Sequence, residues 1–353
     1  MYEKLESLWD ELKASKKPLV LYGTGNGADK IIDVLEGRNI GIDAVFASSG
    51  FVRERTFRGF KVESFGEVTG RLGFDINVLL CFGTSRTVVT KLIESVSEEC
   101  SLFIPEVPLY GGALFDKEYL INNESSLLKA RELFDSASKR LFDDAVAFRM
   151  TGKYEYLSRT EETLTAYLRL AKEKKLETVV DLGAYTGDTL EVFASLPDVK
   201  RISAVEPDPK SFSKLKESAE RYSDIEVSAY NFAASDENKE VSYSASGSRG
   251  AGHQGKNRRA ESRTVSERTL DSLNLDKVDL IKFDVEGDEQ KALNGAADTI
   301  ERCRPALAVS LYHRTEDIFA LPLYLKEQYP YLTHFSLTRP KCIPLWDLLL
   351  IAY

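Results

Sequence analysis

Cysteine is scarce and scattered in these 353 residues: there are four, Cys81, Cys100, Cys303 and Cys342, with no CxxC pair among them. That spacing argues against a zinc site and against a disulfide framework, so a reduced, cytoplasmic chain is expected. Long apolar runs are missing too. None nears the ~20 residues a helix needs to cross a bilayer. The opening Met1-Tyr-Glu-Lys-Leu-Glu6 alternates charged and apolar residues like an amphipathic helix, not like a secretory signal. Basic residues are in deficit, 47 Lys and Arg against 56 Asp and Glu, for a net charge of −9. A broad phosphate-facing surface is therefore not expected, nor is nucleic acid as a partner. Only three histidines occur.

What is present is ordinary for a globular protein: 43% hydrophobic and 29% charged residues. The length predicts two domains, each able to bury its own core. Two segments share one pattern, an apolar run, a glycine-rich turn and a helical stretch. The first is Pro18-Leu-Val-Leu-Tyr-Gly23 and the glycines after it; the second is Glu177-Thr-Val-Val-Asp-Leu-Gly183 and its sequel. Both read as the first strand, loop and helix of a parallel α/β sheet. The expectation is an α/β chain of two Rossmann-like domains. Residues 1–115 form the first, 116–172 a helical connector packed on the second, and 173–353 a doubly wound second domain.

In the first domain, Ile42–Phe46 and Val78–Phe82 read as strands. A helix from about Ser85 fits the spacing of Val88, Val89, Leu92, Ile93 and Val96. Gly23-Thr-Gly25-Asn-Gly27-Ala28 matches G-x-G-x-x-A. The acid expected after the next strand is missing, and Ser48 and Ser49 stand there, better suited to a phosphate than to a ribose diol. NAD is thus a minority reading. The run from Gly59 to Val68 resembles a pattern of small Rossmann-like domains attached to sugar-modifying enzymes, so recognition of a nucleotide- or sugar-linked substrate stands beside a scaffold or dimerisation role.

The second half carries more. Val179-Val-Asp181-Leu-Gly183-Ala-Tyr-Thr-Gly187-Asp188 lets the backbone approach a ligand at the carboxyl end of a strand. Ala204-Val-Glu206-Pro-Asp208 puts a carboxylate after the second strand, where it can accept both hydroxyls of a ribose. Asn231-Phe-Ala-Ala-Ser-Asp236 could frame an adenine after the third. Leu280-Ile-Lys-Phe-Asp284-Val-Glu286-Gly287 places two carboxylates at the end of the fourth.

In that order, with Thr269-Leu-Asp-Ser-Leu273, Leu293-Asn-Gly-Ala296 and Ser310-Leu-Tyr-His-Arg314, the residues resemble the FkbM-type class I methyltransferases from about Ser125 to Tyr353. The most specific stretch is Lys282 to Glu289 with Leu293 to Ala296. The resemblance implies S-adenosylmethionine as methyl donor and O-methylation, often of sugar hydroxyls. It assigns the cofactor pocket to Asp181, Gly183 and Gly187 with Ala184 and Tyr185 between them, the ribose to Glu206 beside Pro207, and the adenine border to Ala233, Ala234, Ser235 and Asp236.

A sugar hydroxyl must lose its proton, and Asp284, Glu286 and His313 are the candidate catalytic residues. Each has another reading. Asp284 can hold the methionine ammonium or a water, Glu286 can sit in the first turn of the next helix, and His313 can be a structural hydrogen-bonder. The three would also suit a metal. No paired acid motif of metal-dependent methyltransferases occurs, so none is expected. Tyr312, Tyr324, Tyr329 and Tyr331 read mostly as packing residues. Residues 244–263, with four glycines and five basic residues, read as a surface loop or as a lid over an anionic or sugar substrate. The function expected is S-adenosylmethionine-dependent O-methylation of a sugar or glycoconjugate, with a homodimer possible. An N-methyltransferase or an inactive cofactor-fold binding protein are the alternatives.

Overall fold

The apolar run at residues 19–22 becomes a strand buried on every residue, as a parallel sheet covered on both faces requires. The computed structural model describes residues 2–48, 56–108, 110, 112–244 and 262–353. Residues 245–261, most of the expected glycine-rich loop, lie outside the described residues, as does Ser49.

Helix α1 (Leu8–Ala14) precedes β1 (Leu19–Tyr22), α2 (Asn26–Gly37), β2 (Ala44–Phe46), β3 (Thr56–Phe57), β4 (Phe60–Glu63), α3 (Phe65–Leu72), β5 (Asn77–Leu80), α4 (Thr87–Glu99) and β6 (Ser101–Phe103). Their sheet runs β3-β4-β2-β1-β5-β6, parallel except for the short β3–β4 pair. Gly27 explains why α2 can lie so close: a Cβ there would stand 2.4 Å from the Cys81 carbonyl oxygen. Ser64 and Glu67 cap α3 reciprocally. The expected helix near Ser85 is α4, but its buried stripe is Thr90, Ile93 and Val96. Val88 and Leu92, one turn apart, face outward.

Residues 117–173 fold as α5 (Lys117–Glu132), α6 (Ser136–Thr151) and α7 (Thr163–Glu173). Asp116 and Asp135 cap the first two, and Gly152, left-handed at φ 64°, ends α6.

The second sheet contains β7 (Thr178–Leu182), β8 (Arg201–Val205) and β9 (Glu226–Tyr230), with α8 (Leu190–Ala194) and α9 (Pro209–Ala219) between them. A side sheet follows, β10 (Ala233–Ala234), β11 (Lys239–Ser244) and β12 (Ser262–Arg268). Then come β13 (Leu280–Phe283), α10 (Glu289–Asn294), α11 (Ala297–Cys303), β14 (Ala306–Ser310), α12 (Asp317–Gln328), β15 (Phe335–Thr338) and β16 (Leu349–Ala352). The order is β15-β16-β14-β13-β7-β8-β9, so β13 and β7 lie at the centre. β16 enters antiparallel between β14 and β15. The apolar runs Arg201–Val205 and Ala306–Ser310 themselves predict strands, and strands appear with those bounds. The side sheet and β15 are additions that the chain's hydrophobic pattern did not announce.

Helix α5 packs on α12 and α6 on β15. One apolar cluster runs from Tyr22 and Phe46 through Phe142 and Phe148 to Phe283 on β13 and Val309 on β14, so the two sheets and the helices between them share packing. Among the described residues no helix is long and apolar enough to cross a membrane.

Gly295 gives a sharp test of packing. A Cβ there would sit 1.9 Å from the Ser235 carbonyl oxygen, whereas one at Gly70 in α3 meets nothing within 4 Å. Gly295→Ala should destabilise by about 2–4 kcal/mol, while Gly70→Ala should be neutral or stabilise by up to about 1 kcal/mol. Thermal melting of both variants checks this.

Candidate active site

The carboxyl ends of β7, β8, β13 and β14 open on one cavity of about 340 Å³, within the range of small-molecule sites. Gly183, at φ 85°, makes the sharp exit from β7. A Cβ at Gly183 would stand 1.9 Å from the Asp284 carbonyl oxygen, so only glycine lets the loop lie against the end of β13.

Glu206 follows β8 and is buried. Its two oxygens accept from the backbone N–H groups of Tyr185, at 2.9 Å, and Asp208, at 2.8 Å. Burial raises its pKa to about 7, the two N–H donors offsetting only part of the effect. Asp208 caps α9 through one oxygen, while the other is buried with no hydrogen-bond partner.

At the sheet's centre the buried Lys282 ammonium lies 3.0 Å from Asp181 and 3.3 Å from Asp284. Thr189 donates to the other Asp181 oxygen. Asp284 also accepts from Ser310 Oγ at 2.9 Å and Tyr312 OH at 3.0 Å. Burial alone would raise the Asp284 pKa, but Lys282 foremost, then His313 and the two hydroxyls, bring it down to about 2. His313 Nδ1 meets Glu289 Oε1 at 2.7 Å, and that carboxylate also accepts from the Val285 N–H at 2.9 Å. His313 Nε2, buried and without a hydrogen-bond partner, faces Asp284 Oδ1 and Glu286 Oε2, each at 3.6 Å. Burial works against the imidazolium, yet Glu289, then Asp284 and Glu286, outweigh it and hold its pKa at about 10. Glu286 stands at φ 59°, a strained conformation for a non-glycine residue, and accepts from the Tyr110 hydroxyl.

Gly183, Tyr185, Glu206, Pro207, Ala233, Ala234, Asp284, Glu286 and His313 line the cavity together. Asp181 is buried under it against Lys282. Ala184 lies in the core, Gly187 against Ser218 and Leu190, and Ser235 beside Glu267. Sequence reasoning passed over Lys282, Glu289, Tyr110 and Trp346. A lysine inside an otherwise apolar strand was the available signal for the first; nothing around Tyr110 or Trp346 distinguished them. Asp284, Glu289 and His313 bring potential ligand atoms within 4.8 Å of one another. In this arrangement His313 Nδ1 is bonded to Glu289 while Nε2 points to the other side of the ring, toward Asp284. At the first glycine loop, Phe82 lies against Gly23 and Ser48 is bonded to Tyr22 at 2.6 Å.

A parallel sheet with one antiparallel hairpin at its edge, a glycine loop after its first strand and an acid after the second is a Rossmann-like arrangement, with its ligand crevice at the carboxyl ends of the strands. Residues 181–331 match the methyltransferase FkbM domain. Along almost its whole length the fold is similar to that of a methyltransferase FkbM from Methylobacillus flagellatus KT. The TM-score is 0.71 at 20% identity, covering 96% of this chain and 90% of that one. Aeropyrum pernix fibrillarin, solved with natively bound S-adenosyl-L-methionine, aligns at 13% identity and TM-score 0.34 over 54% of this chain and 74% of that one. A Streptococcus mutans protein in complex with SAH aligns at 11% and 0.35 over 55% and 98%. Both scores are below the level of a shared overall fold. No curated protein sequence matches.

The charge state of His313 can be read directly. Nitrogen-15 imidazole NMR, with the resonance assigned by its loss in His313→Ala, should show protonation persisting to about pH 10. In Glu289→Gln the midpoint should fall by roughly two pH units or more, as burial gains on the remaining carboxylates.

Proposed function

We propose that the protein transfers a methyl group from S-adenosylmethionine to a hydroxyl of a sugar or glycoconjugate. Residues 1–115 would form the first Rossmann-like unit, 116–172 the connector and 173–353 the methyltransferase domain. The observation that carries this reading is that one cavity is lined both by Glu206 after β8 and by the Asp284–Glu286–His313 cluster after β13 and β14.

The residues fit the cofactor. Glu206 is a lining carboxylate whose burial leaves it poorly solvated, and the ribose diol would supply the donors it lacks. Gly183 provides a close backbone approach that a side chain would block. Phe232, Ala233 and Ala234 border the same end of the cavity with apolar surface for an adenine. When bound, the cofactor supplies an electrophilic methyl group on a sulfonium.

Asp284, kept ionised by Lys282, would lie beside the cationic methionine end. His313 is an imidazolium at neutral pH, so it acts as an orienting and charge-balancing group and does not accept the acceptor's proton. That leaves Glu286 as the general base: Tyr110 holds one of its oxygens, and it opens on the cavity. Ser310 and Tyr312 fix the Asp284 carboxylate, and Glu289 fixes the imidazole. Holding an acceptor oxygen in line with the methyl group would supply much of the acceleration.

Calorimetry with S-adenosylhomocysteine tests the cofactor assignment. Glu206→Ala should weaken binding by about 2–4 kcal/mol through loss of two charge-assisted hydrogen bonds. For the wild type the pH dependence has a definite sign. Two ribose hydroxyls need the ionised carboxylate, so binding expels a proton from Glu206 near its pKa of about 7. Affinity should rise from pH 6 to pH 8, by up to about tenfold per unit below the midpoint, and Glu206→Ala should remove that slope. A wild-type protein that does not bind S-adenosylhomocysteine would sink the proposal.

A further inference from the structure

The cavity runs across the sheet, from Glu206 after β8, past Asp284 after β13 and His313 after β14, to Trp346 and Asp347 just before β16. Its ribose end is therefore at β8 and its far end at β16. The N-terminal sheet reaches that far end. The loop after β5 pairs with the segment leading to β16: Thr84 N–H donates to the Ile343 carbonyl at 2.7 Å, and Ile343 N–H to the Thr84 carbonyl at 2.9 Å. Gly83 lies against the Trp346 indole, where a Cβ would come within 2.3 Å of the ring. The N-terminal sheet thus seats the aromatic wall of a cavity built on the other sheet.

Beyond that wall lies a second cavity of about 360 Å³, sharing Pro340 and Asp347 with the first. Ser85, Thr87 and Thr90 line it from the N-terminal side, Glu162 and Lys341 from the other. Asp347, on the shared wall, is held at φ 62°, a strained conformation for a side-chain-bearing residue. Hydroxyls, carboxylates and one ammonium make this lining polar, and an apolar acceptor would displace water from it without replacing the water's hydrogen bonds. A polyol ring suits the setting: its hydroxyls match the polar groups, and its C–H face can rest on the neighbouring indole.

We propose that this inter-sheet cavity is a second acceptor subsite, which takes the sugar unit adjoining the one that is methylated. The acceptor is then an oligosaccharide or glycoconjugate of at least two units, and the N-terminal sheet is part of its recognition. This rests on the sugar O-methyltransferase reading above and narrows it.

The test uses the full-length protein saturated with S-adenosylhomocysteine on an array of mono-, di- and longer saccharides. Thr87→Arg serves as the blocking variant; Thr87 is exposed at the first turn of α4, away from the cofactor end. The expected result is retention of saccharides of two or more units and not of single sugars. In Thr87→Arg this retention weakens by about tenfold or more, while calorimetry shows unchanged S-adenosylhomocysteine binding. Three results overturn the subsite with the cofactor reading intact: cofactor binding with no saccharide retained, single sugars held as tightly as longer ones, or retention unaffected by Thr87→Arg. Absence of cofactor binding in the wild type is a separate outcome, and it removes both readings.

Discussion

The buried ammonium of Lys282, between Asp181 at 3.0 Å and Asp284 at 3.3 Å, holds the centre of the site together. It joins the ends of the two central strands and, against burial, keeps the Asp284 carboxylate ionised. From it the charges alternate across the sheet: Asp181, Lys282, Asp284, His313, Glu289. Each member compensates its neighbours, so removing one leaves a buried charge uncompensated, which is far costlier than removing a surface pair. Such a line gives little net stability over a well-packed apolar alternative. It does fix where each carboxylate oxygen points, and Ser310 and Tyr312 complete the fixing at Asp284.

The loop that carries Tyr312 and His313 is also held from behind. Arg149, buried on α6, donates to the Leu311 carbonyl at 3.0 Å and to the Thr315 carbonyl at 2.9 Å. Its third nitrogen lies 3.2 Å from Glu106, which follows β6 of the N-terminal sheet. Thr315 in turn donates to the Ala113 carbonyl at 2.7 Å. The helices between the two sheets therefore brace the imidazole, and a chain lacking its first 115 residues would lose Glu106 and Ala113 from that bracing.

Much of this was legible from the residues. The glycine loop, Glu206 and the Asp284–Glu286 pair announced themselves because a strand that ends in a ligand site must place particular residues immediately after it. The apolar runs Arg201–Val205 and Ala306–Ser310 were legible as strands in their own right. Contacts between distant segments were not legible. Tyr110 meets Glu286 across 176 positions, and Gly83 meets Trp346 only because two sheets dock. Glu289 reads in sequence as one acid in an acidic run. Its role as the buried partner of His313 comes from the turn at Gly287 that brings α10 back under the loop after β14. The exposed faces of Val88 and Leu92 show the converse, where apolar spacing fits a helix but not its burial.

The charge line also bears on an assignment that residue types alone leave open. A histidine at the end of a strand beside two acids is the usual first choice for a base near neutral pH. Here three carboxylates surround it, and their field outweighs the burial that would otherwise favour the neutral ring. An imidazolium has no lone pair with which to take a proton. Asp284, its pKa pulled down to about 2 by Lys282 and His313, is too weak a base to compete well. Glu286 stands outside the Lys282 contact, on a strained turn that presents it to the cavity. On the proposed methyl transfer to a hydroxyl, the charges around His313 and Asp284 leave Glu286 as the carboxylate we propose takes the acceptor's proton.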